Sequence, residues 1–451
     1  MIRACHGAGQ ALEPGYPAFL THFRREAAEA PVGATFRPRL RRGVLEALRR
    51  RRRSEKRRAG GCIRGRSRKG VRYAGYTPGV PGALTIIHAL EKNRLTTGSV
   101  VQMMEAARGL AARGHRVTVV SQPGGDLEDA CADVGVTFLP LPLKHEFDVG
   151  SARALRRFLK AHPTDIVHVH KGRPHFVALM AAAGLGRLPR LVVNRGVSFP
   201  LDFFNLWKYR HPRVGAVVCV AEAIREVVIH SGRLRPEKVL TIHAGVDTER
   251  FDPERVDTGC VRRELGVADD DLLVGQVSVR DWKGWRELAE AFARVAPGQP
   301  SARLLLVGCE PEAEREKVLA AARELGIEDR LLTLPYRSDM PEVLAACDVV
   351  ADASWAGTGI TGTIREAMAM ERAVVATDCA GNRELVVDGE VGLLVPQKDV
   401  PALAGALARL LADPGLRQRL GRSARRRVVA GFSTDVRLDR LEALYRSLIS
   451  R

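Results

Sequence analysis

The chain has 451 residues, of which 45% are hydrophobic and 27% are charged. This length accommodates two domains and a tail. No window reaches the ~18 uninterrupted apolar residues of a membrane-spanning helix. The eight cysteines are scattered without a C-x-x-C pair, which argues against a disulfide framework or a zinc site and predicts a reducing, cytoplasmic location.

The net charge of +19 is concentrated at the amino terminus, where residues 1–80 hold 20 Lys and Arg against 5 Asp and Glu. Like-charge runs repel, so we predict that residues 1–82 form a disordered basic extension. Three interpretations stay open: an extension from an upstream start codon, a peripheral contact of residues 39–69 with anionic lipid at the inner membrane face, or nucleic-acid binding. The missing aromatic interleaving argues against nucleic acid.

From Leu84 onward, short apolar runs alternate with amphipathic helices, the pattern of parallel sheets with crossover helices. A helix is predicted over Ser99–Arg113. The strands predicted for a first domain are Thr85–Ala89, Arg116–Ser121, Ile166–His170, Leu191–Asn194, Val217–Val220 and Val239–Ile242.

The pattern restarts after the acidic turn at 269–271. Two open sheets that each bind ligands at the carboxyl ends of their strands leave a cleft between them. The strands predicted for a second domain are Leu272–Val277, Leu304–Val307, Leu331–Leu334, Val349–Asp352 and Val374–Ala376.

Two segments of the first domain carry candidate site residues. Gly98 permits close approach of the backbone, and Ser99 is expected as a helix N-cap, although both also fit a plain helix start. His168 and His170 point to one face of a strand, as in a metal site, but no third ligand is evident in the sequence nearby.

The segment from Thr358 to Met370 runs from Gly and Thr residues into a helix whose first turn is expected to carry Glu366. Such an entry lets backbone N–H groups and the positive end of the helix dipole hold an anion. A carboxylate there can accept hydrogen bonds from sugar hydroxyls. The competing interpretation is an ordinary turn between strand and helix.

Read with its flanks, this segment resembles the signature of the family 4 glycosyltransferases of GT-B fold. The resemblance rests on E-A-M-A-M-E-R-A-V-V-A-T-D from Glu366 and on the D-G-E-V-G-L-L-V run from Asp388. Three usual residues are replaced: the first Glu of E-x7-E by Thr358, a Gly by Glu371 and a Pro by Ala373.

The resemblance implies two tandem Rossmann-like domains facing each other across a cleft. It places the first, acceptor-side domain at 83–258, the nucleotide-sugar domain at 259–430, and a helix that crosses back to the first domain at 431–451. The first domain would then contact the acceptor through His170, Lys171, Arg173 and Arg195.

The donor site follows from the same resemblance. Arg280 and Lys283 occupy an R-x-W-K-G variant of the family's diphosphate-binding loop, where preorganised cations hold a leaving diphosphate; a solvated surface loop is the alternative. No D-x-D motif ends a strand, so no metal and no cofactor is expected. Tyr336 and Arg337 would contact the nucleobase. The remaining donor-site candidates are Gly98, Ser99, Thr358, Gly359, Ile360, Thr361, Gly362 and, for the ribose, Glu366.

These expectations together describe a retaining glycosyltransferase that moves a sugar from a nucleotide-sugar donor to a glycan or lipid-linked saccharide of the bacterial envelope. The alternatives are a GT-B nucleotide-sugar epimerase or phosphorylase, and a nucleic-acid-binding protein on a degenerate scaffold.

Overall fold

A computed structural model describes residues 82–450, apart from Thr96, Arg187, Leu188, Gly357 and Thr358. The basic extension predicted for residues 1–82 therefore lies, except for Gly82, outside the described residues, as do residues 39–69. Within the described part of the chain, no helix has both the length and the apolar character needed to cross a membrane.

The first domain is built on a seven-stranded parallel sheet in the order β3-β2-β1-β4-β5-β6-β7. Its central strands are buried on both faces, as expected of a parallel sheet covered by helices. The strands are β1 (Thr85–Ala89), β2 (Arg116–Ser121), β3 (Thr137–Pro140), β4 (Ile166–Val169), β5 (Arg190–Arg195), β6 (Val214–Cys219) and β7 (Val239–Thr241).

Six helices accompany this sheet and connect its strands. Asp148 and Asp202 act as N-caps, accepting from the backbone N–H groups of Ser151 and Asn205. The helices are α1 (Gly98–Ala112), α2 (Leu127–Asp133), α3 (Val149–Ala161), α4 (Gly172–Ala182), α5 (Phe203–Arg210) and α6 (Glu222–Gly232).

The second domain contains a six-stranded parallel sheet in the order β10-β9-β8-β11-β12-β13. Its strands are β8 (Leu272–Val277), β9 (Ala302–Val307), β10 (Leu331–Leu334), β11 (Val349–Asp352), β12 (Ala373–Thr377) and β13 (Leu393–Val395). Its helices are α7 (Cys260–Leu265), α8 (Trp285–Val295), α9 (Glu312–Glu324), α10 (Met340–Ala346), α11 (Gly362–Ala369), α12 (Asn382–Leu385), α13 (Val400–Ala412) and α14 (Pro414–Gly431).

The α/β architecture with two parallel sheets confirms the predicted fold class, and each predicted strand is present within a few residues of its expected bounds. Two strands, β3 and β13, were not predicted. One helix start was wrong: α1 begins at Gly98 with Thr97 as its N-cap residue, so Ser99 lies inside the first turn and caps nothing.

The last helix, α15 (Thr434–Ile449), packs against the first domain. Its apolar face contributes Leu438, Leu441, Leu444, Tyr445 and Leu448 to the core beneath α1. A Cβ at Gly109 of α1 would lie 2.4 Å from Leu438 Cδ1, so the absent side chain allows the two helices to approach closely. The buried Tyr445 hydroxyl lies 2.6 Å from His168 Nδ1.

Candidate functional site

A cleft of about 1640 Å³ opens where the carboxyl ends of the two sheets face each other. Both domains line it. The predicted site residues among its lining are Gly98, Ser99, His170, Lys171, Arg173, Arg195, Arg280, Lys283, Tyr336, Arg337, Thr361, Gly362 and Glu366. The structure therefore brings together residues that are up to 268 positions apart in the sequence, from Gly98 to Glu366.

The predicted cationic loop follows β8 and presents two different cations to the cleft. Arg280 is exposed there and forms no ion pair with another described residue. The Lys283 ammonium lies 3.5 Å from Asp352 Oδ1 and 4.9 Å from the centre of the Trp282 ring. Gly284, at φ 68°, ends the loop, and a Cβ on it would meet the Ala353 carbonyl oxygen at 2.0 Å. Only glycine therefore allows the loop to lie against the end of β11.

Asp352, the last residue of β11, organises this part of the cleft although the sequence assigned it no role. The residue is 2% exposed, and its carboxylate accepts from Ser354 Oγ at 2.8 Å and from Thr361 Oγ1 at 3.0 Å. Asn382 Nδ2 donates to it at 3.3 Å. With Lys283, these donors compensate a carboxylate that would otherwise be costly to bury.

The start of α11 is held by the same group of residues. Asn382 Oδ1 accepts from the Thr361 backbone N–H at 3.0 Å, and Thr361 is the N-cap residue of α11. Glu366 lies in the second turn of α11 rather than the first, because the helix begins only at Gly362. Glu366 still lines the cleft, although it lies one turn further along α11 than predicted.

The glycine-rich segment divides into two parts. Thr361 and Gly362 line the cleft, whereas Gly359 and Ile360 do not. A Cβ on Gly359 would lie 2.8 Å from Val220 Cγ2, and the Ile360 side chain is buried in the core. Gly359 therefore lies against the first domain and Ile360 packs in the core, and their predicted donor contacts stay predictions. Thr358 lies outside the described residues.

Ser99 is not the predicted helix N-cap, but it lines the cleft in which a donor contact was predicted for it. Its hydroxyl is buried next to the cleft and has no hydrogen-bond partner among the described residues. Because a buried hydroxyl is normally paired, an unpaired one at the edge of a ligand cleft is available to a ligand. Gly98 beside it meets nothing within 4 Å of an added Cβ, so the backbone there is open to the cleft.

The two residues predicted to contact the nucleobase differ in whether their side chains are already bound by other residues. Tyr336 is 55% exposed and lines the cleft. Arg337 is bound by two carboxylates, with Glu264 Oε1 at 2.7 Å and Asp339 Oδ2 at 2.6 Å from its terminal nitrogens. These hydrogen bonds raise the pKa of the Arg337 guanidinium. Its fork is already occupied, so it shapes the loop that carries Tyr336.

The predicted acceptor residues form one wall of the first domain. Arg173 is exposed, and the Lys171 ammonium lies 3.9 Å from Glu91 Oε1. Arg195 donates through Nη2 to the Phe199 carbonyl oxygen, while its Nε is buried without a partner among the described residues. This wall is basic and polar, as the sequence indicated.

His170 belongs to a cluster that corrects one inference from the sequence. His88 of β1 pairs in register with His168 of β4 and supplies the third imidazole that the sequence did not reveal. One ligand nitrogen from each of the three rings lies within 4.8 Å of the others. Burial lowers the pKa of His88 to about 3 and the pKa values of His168 and His170 well below their usual range, so neutral rings with metal-ligand lone pairs are present.

The histidine cluster is also bonded internally. His88 Nδ1 lies 2.9 Å from His170 Nε2, and the buried Nε2 atoms of His88 and His168 have no partner among the described residues. Arg437 of α15 contributes positive charge that further lowers the pKa values of all three rings. The same charge opposes a bound dication, so the rings fit a neutral hydrogen-bonded cluster better than a metal centre.

Two glutamates, Glu105 and the cleft residue Glu366, lie near buried arginines. Burial raises the pKa of Glu105 of α1 to about 7 despite the nearby Arg437 and Arg365. Burial also raises the pKa of Glu366, and Arg365 and Arg250 partly oppose that rise. Arg365 is 3% exposed, with Nε and Nη1 unpaired among the described residues.

Comparison with known proteins agrees with this fold and cleft. Two solved structures have the same fold: a glycosyltransferase from Rickettsia africae (TM-score 0.75, 20% identity, 82% of this chain and 100% of that one) and HepE from Anabaena in complex with UDP (TM-score 0.69, 20% identity, 81% and 100%). The architecture is therefore that of a GT-B glycosyltransferase.

Sequence comparison identifies the family. Residues 96–250 match Glycosyltransferase Family 4, and residues 270–413 match Glycosyl transferases group 1. A relative from Escherichia coli, UDP-Gal:alpha-D-GlcNAc-diphosphoundecaprenol alpha-1,3-galactosyltransferase, is 26% identical over 352 residues, which are 74% of this chain and 89% of that protein. The chain belongs to the group 1, family 4 glycosyltransferases and is a glycosyltransferase.

The first prediction concerns Asp352 and Lys283. Because Asp352 holds the ammonium of Lys283, which is predicted to face the leaving diphosphate, Asp352→Asn should lower kcat/KM for the donor by about 10- to 100-fold. Residues that act as a unit are not additive, so adding Asp352→Asn to Lys283→Ala should cost little more than Lys283→Ala alone. Asp378→Asn, at a partly exposed carboxylate paired with Arg383, is the matched control. Additive losses in the double variant would contradict the coupling.

The second prediction concerns stability and pH. A carboxyl with a raised pKa in the folded state keeps its proton while the unfolded chain ionises, so its burial becomes more costly as pH rises from about 4.5 to about 7. Glu105→Gln removes this cost. Its melting temperature should match wild type near pH 4.5 and exceed it by about 2–4 °C above pH 7. Glu324→Gln, at an exposed ion pair, should show no such pH-dependent gap. A gap of equal size at both pH values would refute the assignment.

Proposed function

We propose that the protein is a retaining glycosyltransferase that moves a sugar from a nucleotide-sugar donor to a glycan or lipid-linked saccharide acceptor in bacterial envelope synthesis. The observation that carries the proposal is that two cations lie in one cleft with the amino end of α11: Arg280, which has no ion-pair partner among the described residues, and Lys283, which a carboxylate holds. The Escherichia coli relative is named for a diphosphoundecaprenol-linked acceptor, and HepE was solved with UDP.

The donor chemistry assigns a role to each of these groups. Breaking a glycosyl–phosphate bond builds negative charge on the departing diphosphate, and fixed cations stabilise that charge without having to reorganise. Arg280 supplies a planar fork, Lys283 a point charge, and the free Ser99 hydroxyl a further donor. Glu366 would accept from the ribose hydroxyls.

Retention of the anomeric configuration follows from the resemblance to the family, in which the acceptor attacks from the same face as the leaving phosphate departs. No protein nucleophile is required in that mechanism. The basic wall of His170, Lys171, Arg173 and Arg195 would orient the acceptor. All six described cysteines are free thiols, which supports a reducing cytoplasmic setting.

The direct test is a panel of nucleotide sugars assayed for nucleotide release with lipid extracts as acceptors. Acceptor-dependent release with an α-linked product from an α-linked donor would support retaining transfer. A free sugar phosphate produced with inorganic phosphate would indicate a phosphorylase instead, and an isomerised donor without an acceptor would indicate an epimerase. Salt-sensitive RNA binding without turnover would favour the nucleic-acid alternative.

The third prediction is that turnover does not need a divalent metal. In this proposal, cationic side chains stabilise the negative charge of the leaving group. Activity in excess chelator should therefore stay within about twofold of the untreated enzyme. Loss of activity that Mg²⁺ or Mn²⁺ restores would overturn the assignment of Arg280 and Lys283. Loss that only Zn²⁺ restores, and that His88→Asn reproduces, would instead assign a metal to the histidine cluster.

The fourth prediction tests the two cations separately. Arg280→Ala and Lys283→Ala should each lower kcat/KM by about 10²–10³, the usual scale for one preorganised charge contact. Arg286→Ala, at an exposed arginine on α8 outside the cleft lining, should leave kcat/KM unchanged. Melting temperatures measured alongside would separate lost chemistry from lost folding. Wild-type kinetics in both cleft variants would mean that the donor binds elsewhere.

A further inference from the structure

The described residues expose eight large hydrophobic side chains, and five of them lie in two neighbouring segments of the first domain. We call these five the apolar patch: Phe147, Val149, Val197, Phe199 and Trp207. Phe147 is 65% exposed and Trp207 47% exposed. Scattered exposed hydrophobics are ordinary on a protein surface, but a local concentration of them indicates an interaction site.

Three rings join part of this patch into one row. The Phe147 ring meets the Phe176 ring edge-on at 4.7 Å, and Phe176 meets Trp207 at 5.4 Å. The buried Phe176 therefore fixes the two exposed rings side by side. Such rigid aromatic contacts lose little conformational entropy when the surface binds a partner.

Each ring of the row has a basic residue three positions away in the sequence. Lys144, Arg173 and Arg210 are all exposed, and they lie next to the loop of Phe147, at the start of α4 and at the end of α5. Glu146 pairs with Lys208 at 3.0 Å, and Asp148 and Asp202 cap helices. The three exposed cations outnumber these two capping carboxylates, so the net charge next to the rings is positive.

The patch is continuous with the acceptor wall of the cleft. Val197 of the patch also lines the cleft. Arg195 of the acceptor wall donates to the carbonyl oxygen of Phe199, another patch residue. Glu146, next to Phe147, also lines the cleft. The apolar patch adjoins the acceptor wall, so the molecule or membrane that holds the acceptor would contact this patch.

We infer that the apolar patch inserts into the interface of an anionic phospholipid bilayer, so that the acceptor wall faces lipid-linked saccharide in that bilayer. Aromatic rings with one wet edge favour the lipid–water interface. Neighbouring lysines and arginines attract anionic headgroups. The inference rests on the proposed acceptor class.

The test uses the full chain and phosphatidylcholine vesicles with or without phosphatidylglycerol. Phe147→Ser with Trp207→Ser should lower the vesicle-bound fraction at least about tenfold, since apolar insertion and charge act together. Val429→Ser, at a hydrophobic residue of similar exposure on α14, should bind like wild type. Residues 1–81 are present in every variant, so the difference reports the patch alone. Equal binding by the double variant would overturn the inference.

A second measurement reads Trp207 directly. Lipids brominated along the acyl chain should quench wild-type tryptophan fluorescence, and Trp207→Phe should lose that quenching while keeping its melting temperature. Unchanged quenching in Trp207→Phe, or self-association that the double variant abolishes, would overturn the bilayer as the occupant. Transfer to a detergent-solubilised acceptor tests the proposed function separately. If that transfer fails while Trp207 is quenched, the reaction assignment is wrong and the bilayer contact stands.

Discussion

A single buried carboxylate at the end of β11 constrains the chemistry of the cleft. Desolvation penalises a charged carboxylate unless it is fully hydrogen-bonded, and removing one partner leaves the charge uncompensated. Asp352 meets that demand with donors from three different segments: Lys283, Thr361 and Asn382. The cationic loop, the start of α11 and the start of α12 are therefore fixed relative to one another, although they lie far apart in the sequence.

A hydrogen-bonded carboxylate also joins the two domains. Glu384 of the second domain accepts from the backbone N–H groups of Glu222 at 2.8 Å and Ala223 at 3.1 Å, at the start of α6 in the first domain. His243 Nε2 lies 2.8 Å from the same carboxylate. An anion at a helix amino terminus is favoured by the unpaired N–H groups and the helix dipole. These contacts lower the pKa of Glu384, the opposite of the change at Glu366.

Much of the fold was predictable because parallel sheets buried on both faces produce continuous apolar runs. The bounds of β1, β2, β8, β10 and β11 agree with the prediction. The strands β3 and β13 lie at the edges of their sheets. The apolar signal of β3 is weakened by its partial exposure, and β13 has only three residues, too few for a distinct apolar run. The position of a residue in the cleft lining was predictable wherever one local motif carries it, as at Arg280, Lys283 and Glu366. It was not predictable for Asp352, His88 and Asn382, whose roles arise only when separate strand ends meet at one edge of a sheet.

The geometry at Lys283 explains how one side chain can be both held and available. Its ammonium lies 3.5 Å from Asp352, longer than a strong charge-assisted hydrogen bond, while Asp352 is already satisfied by hydroxyl and amide donors. The lysine is therefore oriented without being neutralised. Arg280, which has no carboxylate partner among the described residues, provides the complementary case of a cation that only a ligand would pair. A diphosphate entering between them would complete the coordination of Lys283 and supply the first ion pair of Arg280, so the unliganded cleft already has the charge distribution that its proposed leaving group requires.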